Sequence, residues 1–307
     1  MPAVGDDDVL VRVLAVAVNH VDILIRSGRF DAGISFPCIL GRDVVGIVEN
    51  IGCRVKKFSP GQIVWSNCMG LHGRQGTCAE YCSIPKSLLF SLPEGAEVKA
   101  AAAALHSTLT AVVGIYDKAA LRQGDTIFIN GASGNVGRTV IELSRQIGAH
   151  IIATAGTPAK AERCRAAGAD AVILYKETDI RQALHELAPD GVNVWWECSP
   201  TPDLELAIQS TGNEGRVILI SGYTQRSGFK LGDMYPRNLS LYGFAVSTLD
   251  DDTIRRAAIL INSTLANNVV HPRIAEILPL SATRLAHEKL ENEPVDGKIL
   301  LVPESTM

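Results

Sequence analysis

The stretch Thr126-Ile127-Phe128-Ile129-Asn130-Gly131-Ala132-Ser133-Gly134-Asn135-Val136-Gly137 decides the fold. A run of β-branched and aromatic residues stops at glycines. Arg138 to Ile147 then continues with apolar residues at helical spacing: Val140, Ile141, Leu143 and Ile147. Strand, tight turn and helix form the setting in which such glycines meet a dinucleotide. The backbone must approach the pyrophosphate closely, and the N–H groups that open the helix point at the anion. Gly134 and Gly137 take the second and third positions of this fingerprint, and Ala132 takes the first. Ser133, Asn135 and Val136 complete the expected phosphate contacts.

Outward from the turn, a second strand runs from His150 to Ala155. It ends roughly 20 residues on, where an NAD-selecting fold places an acid for the ribose hydroxyls. Ala155 and Gly156 stand there instead, with Thr157, Lys160 and, after a third strand, Tyr175 nearby. A missing carboxylate removes repulsion against a 2′-phosphate, and a lysine adds a point charge to hold one. NADPH is therefore the expected cofactor, with Gly156, Lys160 and Tyr175 on its phosphate side. The bland alternative for Lys160 is a solvated lysine on the following helix.

The same strand–helix alternation extends over Thr126–Asn130, His150–Ala155, Ala171–Leu174, Val192–Glu197, Arg216–Ile220 and Ser240–Gly243. It predicts an α/β fold with a doubly wound, six-stranded parallel sheet of the Rossmann type over residues 101–246. Residues 1–100 read differently. Short β-rich runs (Val9–Val18, Val44–Ile51, Gln62–Trp65, Ala79–Ser83) lie between glycine and proline turns, which predicts an antiparallel, barrel-like domain. Residues 247–307, with helices over Asp251–Asn267 and Ser281–Glu291 and strands near Ile277 and at Lys298–Val302, are expected to return to that domain and make it discontinuous.

Composition removes several classes of function. The chain has 307 residues and a net charge of −4, with an isoelectric point near 6.0. No basic surface argues for nucleic acid or an anionic membrane. Asp6-Asp7-Asp8 stands where a secretory signal needs basic residues. The longest apolar stretch, Ala100 to Ile115, is interrupted by His106, Ser107, Thr108 and Thr110 and is expected to be too short and too polar to span a bilayer. Seven cysteines without a CxxC pair read as reduced thiols of a cytoplasmic protein.

Further motifs extend over nearly the whole chain. They are Asn19-His20-Val21-Asp22 with Arg26-Ser27-Gly28, Pro37 through Gly41-Arg42-Asp43 to Glu49, Gly61-Gln62-Ile63-Val64, Gly76 to Tyr81, Ala101 to Ala111, and Gly297-Lys298-Ile299. In this order they resemble the medium-chain dehydrogenase/reductase superfamily, most closely its zinc-free quinone oxidoreductase branch (zeta-crystallin-like). The resemblance implies a GroES-like catalytic domain beside the nucleotide domain, and a homodimer. It also implies cofactor contacts from Thr110, Ser199, Gly222 and Lys298. Members usually begin with about one more strand than Met1-Pro2-Ala3 supplies, so a late start or a lost first barrel strand is expected.

Zinc members of that superfamily hold a catalytic metal with Cys, His and Cys. The matching positions here are Asn19, Arg42 and His106. An amide, a guanidinium that stays protonated and one imidazole do not make such a site. Cys68, His72, Cys78 and Cys82 offer a competing metal reading, but without the paired spacing of structural zinc sites. No metal is expected. Without a Lewis acid, reduction of an electrophilic acceptor is easier than alcohol oxidation, provided a donor stabilises the charge that develops on oxygen. Asn19 is the first candidate donor, Arg42 the second, and His106 lies with them. The alternatives are a turn-forming Asn19, an Arg42 paired with Asp43 or Asp22, and a His106 satisfied on its helix. Relatives often carry a tyrosine where Leu24 stands, so solvent is an open proton source. Three activities remain open: a quinone or enone reductase, an enoyl-thioester or 2-alkenal reductase, and a nucleotide-binding protein without turnover.

Overall fold

The computed structural model describes residues 1–306. Its chain forms two compact units, one of Met1–Leu109 with Leu249–Met307 and one of Thr110–Thr248. The composition change near residue 100 falls inside a single continuous helix, so the sequence pattern places the junction several residues before the packing does.

The first unit begins with β1 (Asp8–Ala17) and α1 (His20–Arg26), then β2 (Val44–Ile51), β3 (Ile63–Ser66), β4 (Tyr81–Pro85), β5 (Phe90–Ser91) and α2 (Val98–Val112). The second unit carries β6 (Thr126–Asn130), α3 (Asn135–Ile147), β7 (His150–Ala155), α4 (Pro158–Ala167), β8 (Ala171–Leu174), α5 (Ile180–Leu187), β9 (Val192–Glu197), α6 (Leu204–Ser210), β10 (Thr211–Leu219) and β11 (Ser240–Gly243). The chain then returns to the first unit with α7 (Asp251–Ala266), β12 (Ile274–Pro279), α8 (Thr283–Asn292) and β13 (Lys298–Val302).

In the first unit, β1 organises a seven-stranded sheet of order β12-β13-β1-β2-β3-β5, with β4 also on β1. It pairs antiparallel with β2, β4 and β13, and Val9, Val11, Val13 and Ala15 to Ala17 are wholly buried. From Val11 to Ala15 buried and part-exposed residues alternate, with Arg12 and Leu14 on the less covered face. Pairing slips between Leu10 and Val11 and between Val13 and Ala15, the kind of bulge that bends a sheet toward closure. The mixed, curved sheet fits the barrel-like expectation.

The second unit is a six-stranded sheet of order β11-β10-β9-β6-β7-β8, every neighbouring pair parallel. Numbered within the unit this is 3-2-1-4-5-6, and the winding direction reverses between β6 and β9. Phe128 and Trp195, from those two strands, pack with ring centroids 4.3 Å apart and bury each other completely. β10 starts at Thr211 rather than Arg216. Its register on β9 breaks between those two residues, so the first part carries no continuous strand pattern.

One sequence expectation needs correction. Val98–Lys118 forms 21 helical residues whose most apolar 18-residue window has a mean hydropathy of 1.4, enough by length and composition to cross a membrane. The α-helix continues into a π-helical turn at Val113–Lys118, which the interrupting polar residues hid. Of its most apolar window, 78% is buried inside the protein, which makes it a core helix.

Candidate active site

The expected cofactor residues of the second unit share one structural position. Ser133 to Gly137 follow the carboxyl end of β6, Gly156 and Lys160 that of β7, Tyr175 that of β8, Ser199 that of β9 and Gly222 that of β10. Doubly wound sheets bind ligands at the carboxyl ends of their strands, where the winding reverses. Thr110 stands apart, buried within α2.

The turn itself works differently from its sequence assignment. The left-handed residue is Gly131 (φ 83°), not Ala132, so the tight turn begins one residue earlier. A Cβ at Gly131 would strike the Cys198 carbonyl at 2.8 Å. At Gly137 it would come within 2.6 Å of Ala132 Cα and of the Gly131 oxygen, so α3 lies directly against the strand end. At Gly134, the N-cap of α3, the nearest protein atom is 3.5 Å away. That open space at a helix N-terminus fits a pyrophosphate. Tyr175 covers Gly156, where an added Cβ would meet its hydroxyl at 2.6 Å. The Thr157 hydroxyl accepts from the Lys160 N–H at 3.3 Å and caps α4, which leaves the Lys160 side chain exposed.

Residues that sequence reasoning passed over hold this turn in place. Glu197, fully buried at the end of β9, accepts from Trp195 Nε1 (3.1 Å), Asn130 Nδ2 (3.0 Å) and the Ser199 N–H (2.9 Å). The Thr154 hydroxyl accepts from the Gly131 N–H at 3.0 Å. Buried Ser199 Oγ has no hydrogen-bond partner among the described residues, a donor available to a ligand. The only sequence signal was a polar residue closing each apolar strand. The donor set and the space at Gly134 fit a bound dinucleotide.

The first unit gathers the other predicted residues into a buried charge cluster. Asn19 precedes α1 and is 2% exposed. Its backbone N–H donates to Asp22 Oδ2 at 2.8 Å, the carboxylate half of a capping box. Its side-chain Nδ2 donates to Asp43 Oδ2 (2.8 Å) and to the Ala17 oxygen (3.3 Å). Its Oδ1 accepts from Lys298 Nζ, brought in by β13. Both amide protons are thus committed inside the protein. Asn19, expected as the donor to an acceptor oxygen, instead links a carboxylate to an ammonium.

Arg42 is wholly buried, and its charge pulls both the Asp22 and the Asp43 carboxyl downward. Burial pushes the Asp22 carboxyl up to about 6 and the Asp43 carboxyl up to about 7, against the opposing pull of Asn19, Arg42 and Lys298. Burial lowers Lys298, and Asp43 and Asp22 draw it back. His106, on α2, is held well below the usual histidine range by burial and by the charges of Lys298, Arg42 and His20, so its imidazole is neutral. Lys298, expected as a cofactor contact, belongs structurally to this cluster. The second metal reading gains no support: Cys82 and Cys68 are buried, His72 is exposed, and all seven cysteines are free thiols. Among the described residues no group of three or more His, Cys, Asp or Glu is placed to hold a metal.

Comparison with known proteins matches this geometry. Residues 5–94 fit the model of the alcohol dehydrogenase GroES-like domain, and residues 135–263 that of the zinc-binding dehydrogenase. The chain belongs to the medium-chain dehydrogenase/reductase superfamily. Within it, the chain is 27% identical to a quinone oxidoreductase of Sus scrofa, over 98% of this chain and 91% of that one. It is 28% identical to a chloroplastic NADPH-dependent alkenal/one oxidoreductase of Arabidopsis thaliana, over 99% and 74%. A solved structure described as an NAD-dependent alcohol dehydrogenase superposes with a TM-score of 0.86 at 29% identity, covering 98% and 93%. As a member of this superfamily the chain is a nicotinamide-dependent oxidoreductase.

Proposed function

We propose that the chain is an NADPH-dependent reductase that delivers hydride to a quinone or to the conjugated carbon of an α,β-unsaturated carbonyl without a metal. The observation that carries this is the charge cluster. Where zinc relatives present three metal ligands, this chain has an amide with both protons committed, a wholly buried guanidinium and a neutral histidine. A guanidinium that always carries its proton cannot ligate a metal. Reduction of an electrophile is then the chemistry left to the site.

In this reading the Thr110–Thr248 unit is the nucleotide-binding domain and the discontinuous unit is the catalytic domain. The Gly131–Gly137 turn and the start of α3 hold the pyrophosphate, Ser199 and Gly222 line the same strand ends, and Lys160 with Tyr175 receives the 2′-phosphate. When bound, the reduced nicotinamide supplies the hydride. The protein is cytoplasmic and a homodimer through β11.

The test is a side-by-side assay of purified protein with NADPH against an ortho-quinone, a simple enone and an enoyl thioester. Turnover of the first two, unchanged by a chelator, is the expected result. Preference for the thioester would move the chain to the enoyl reductases. NADPH binding with no oxidation by any acceptor would leave a nucleotide-binding protein.

A further inference from the structure

β9 ends at Glu197, and the next two residues leave the sheet beside the phosphate turn. The Cys198 N–H donates to the Asn130 oxygen at 3.0 Å, and the Ser199 N–H turns back to Glu197 Oε1 at 2.9 Å. From the other side Gly131 abuts the same peptide: a Cβ there would lie 2.9 Å from the Ser199 nitrogen. Pro200 follows and biases Ser199 toward extended backbone. Ser199 is thus held from two sides, yet its own Oγ is buried without a hydrogen-bond partner among the described residues. The group that holds it is a wholly buried carboxylate whose partners are all neutral donors. Trp195 Nε1 and Asn130 Nδ2 donate to Glu197 Oε2, and the Ser199 N–H donates to Oε1. Burying a carboxylate without a cation is costly, and three donors offset only part of that cost. In return, a bond to a charged acceptor grips about twice as strongly as a neutral one.

We propose that Glu197 is a positioning residue for the cofactor: it fixes the Ser199 peptide so that the Ser199 hydroxyl hydrogen-bonds the nicotinamide half of the dinucleotide. The proposal rests on the NADPH reading above. Lys160 and Tyr175 follow β7 and β8, whereas Ser199 follows β9, across the reversal of winding between β6 and β9. A doubly wound sheet takes one mononucleotide half on each side of that reversal. Ser199 therefore serves the half that Lys160 does not. Glu197 acts only through Ser199, because its carboxylate is wholly buried and both its oxygens already accept from protein donors. A glutamine at position 197 separates the two arms. Its one amide oxygen can stay with Trp195 and Asn130, but its NH2 then meets the Ser199 N–H, donor against donor. The bonds toward the phosphate turn survive, and the Ser199 arm alone is lost.

The Kd of NADPH and that of 2′,5′-ADP, which lacks the nicotinamide half, are measured for wild type, Glu197→Gln, Ser199→Ala and the double variant. One hydrogen bond is typically worth about threefold to tenfold, so each single variant should weaken NADPH by that much and 2′,5′-ADP by less than about twofold. The coupling between the two is the critical quantity. In the Glu197→Gln background, Ser199→Ala should cost less than about twofold more, because the hydroxyl is already out of place. Equal weakening of both ligands by Glu197→Gln would make Glu197 a structural residue. Fully additive losses would make Ser199 independent of it. Either result overturns the proposal. If Glu197→Gln does not fold, amide hydrogen exchange on wild type takes its place. The Ser199 N–H should exchange at least about a hundredfold more slowly than an unstructured amide, and an unprotected one overturns the proposal. Wild type that binds NADH but neither NADPH nor 2′,5′-ADP sinks the NADPH reading instead. The same cycle with NADH and 5′-AMP then tests Glu197.

Discussion

At Gly137 an added Cβ would come within 2.6 Å of two backbone atoms, whereas at Gly134 nothing lies closer than 3.5 Å. The two glycines, three residues apart, therefore answer to different partners, one to the protein and one to its ligand. Gly137→Ala should lower the melting temperature and weaken cofactor binding together. Gly134→Ala should cost only a few tenths of a kcal/mol in stability, the usual difference between glycine and alanine at a tolerant position, yet weaken NADPH at least tenfold. Thermal unfolding and a cofactor titration on the same two variants check both halves. Lys160→Ala should lose about 1.5–3 kcal/mol of NADPH affinity, the worth of a charge-assisted hydrogen bond, with NADH barely changed. Equal loss for both cofactors would take Lys160 out of the phosphate site. These positions were legible in the sequence because a phosphate turn needs particular residues in a short span. Gly131 was passed over because only the backbone angle distinguishes it from its neighbour.

Between elements, the charge cluster ties α1, β2 and β13 together and makes stability depend on pH. Asp22 and Asp43 have folded values of about 6 and about 7, above their unfolded value of 3.8. Their contribution is full below the unfolded value and is lost as pH rises through the folded ones. His106, lowered, contributes in the opposite sense: its part is full above its ordinary value and is lost as pH falls through the folded one. Asp43→Asn removes one of the first kind. The stability of wild type relative to Asp43→Asn should therefore fall as pH rises from about 4 to about 7, at roughly 1.4 kcal/mol per unit at most. Urea unfolding across that range measures it, and a difference that does not change with pH would show Asp43 charged throughout. At the sheet edge, β11 pairs only with β10, and Leu241 and Tyr242 are part-exposed there. An open apolar edge invites pairing with a second copy. Light scattering at micromolar concentration should show a dimer, and Leu241→Lys should shift it toward monomer. None of the cluster's connections could be read from sequence spacing, since Asn19 and Lys298 lie 279 residues apart.

Over the whole molecule, the legible half was the parallel sheet. Its strands are short buried runs separated by helices, and each strand end carries a turn signal that survives without tertiary context. The mixed sheet was legible only as a class. β1 serves three partner strands, and nothing in its own residues announces which partners it takes. For the long helix the expectation of no membrane span agrees with its burial, although the length and polarity argued for it do not. A core helix in an α/β protein is as apolar as a bilayer span, and only its surroundings tell them apart. The charge cluster escaped because it is assembled from both ends of the chain.

That assembly fixes an order of events during synthesis. The ribosome delivers Asn19 and Asp43 first, then the complete Thr110–Thr248 unit, and only after it the strand bearing Lys298. Until β13 emerges, β1 lacks a partner at Val16 and Ala17, and Asp22 and Asp43 have Arg42 but not Lys298 to balance them. The nucleotide unit can be finished on the nascent chain, whereas the charge cluster can be completed only once β13 has emerged. A chain interrupted between Thr248 and Lys298 would therefore keep the nucleotide unit's sequence whole and leave the cluster without its lysine.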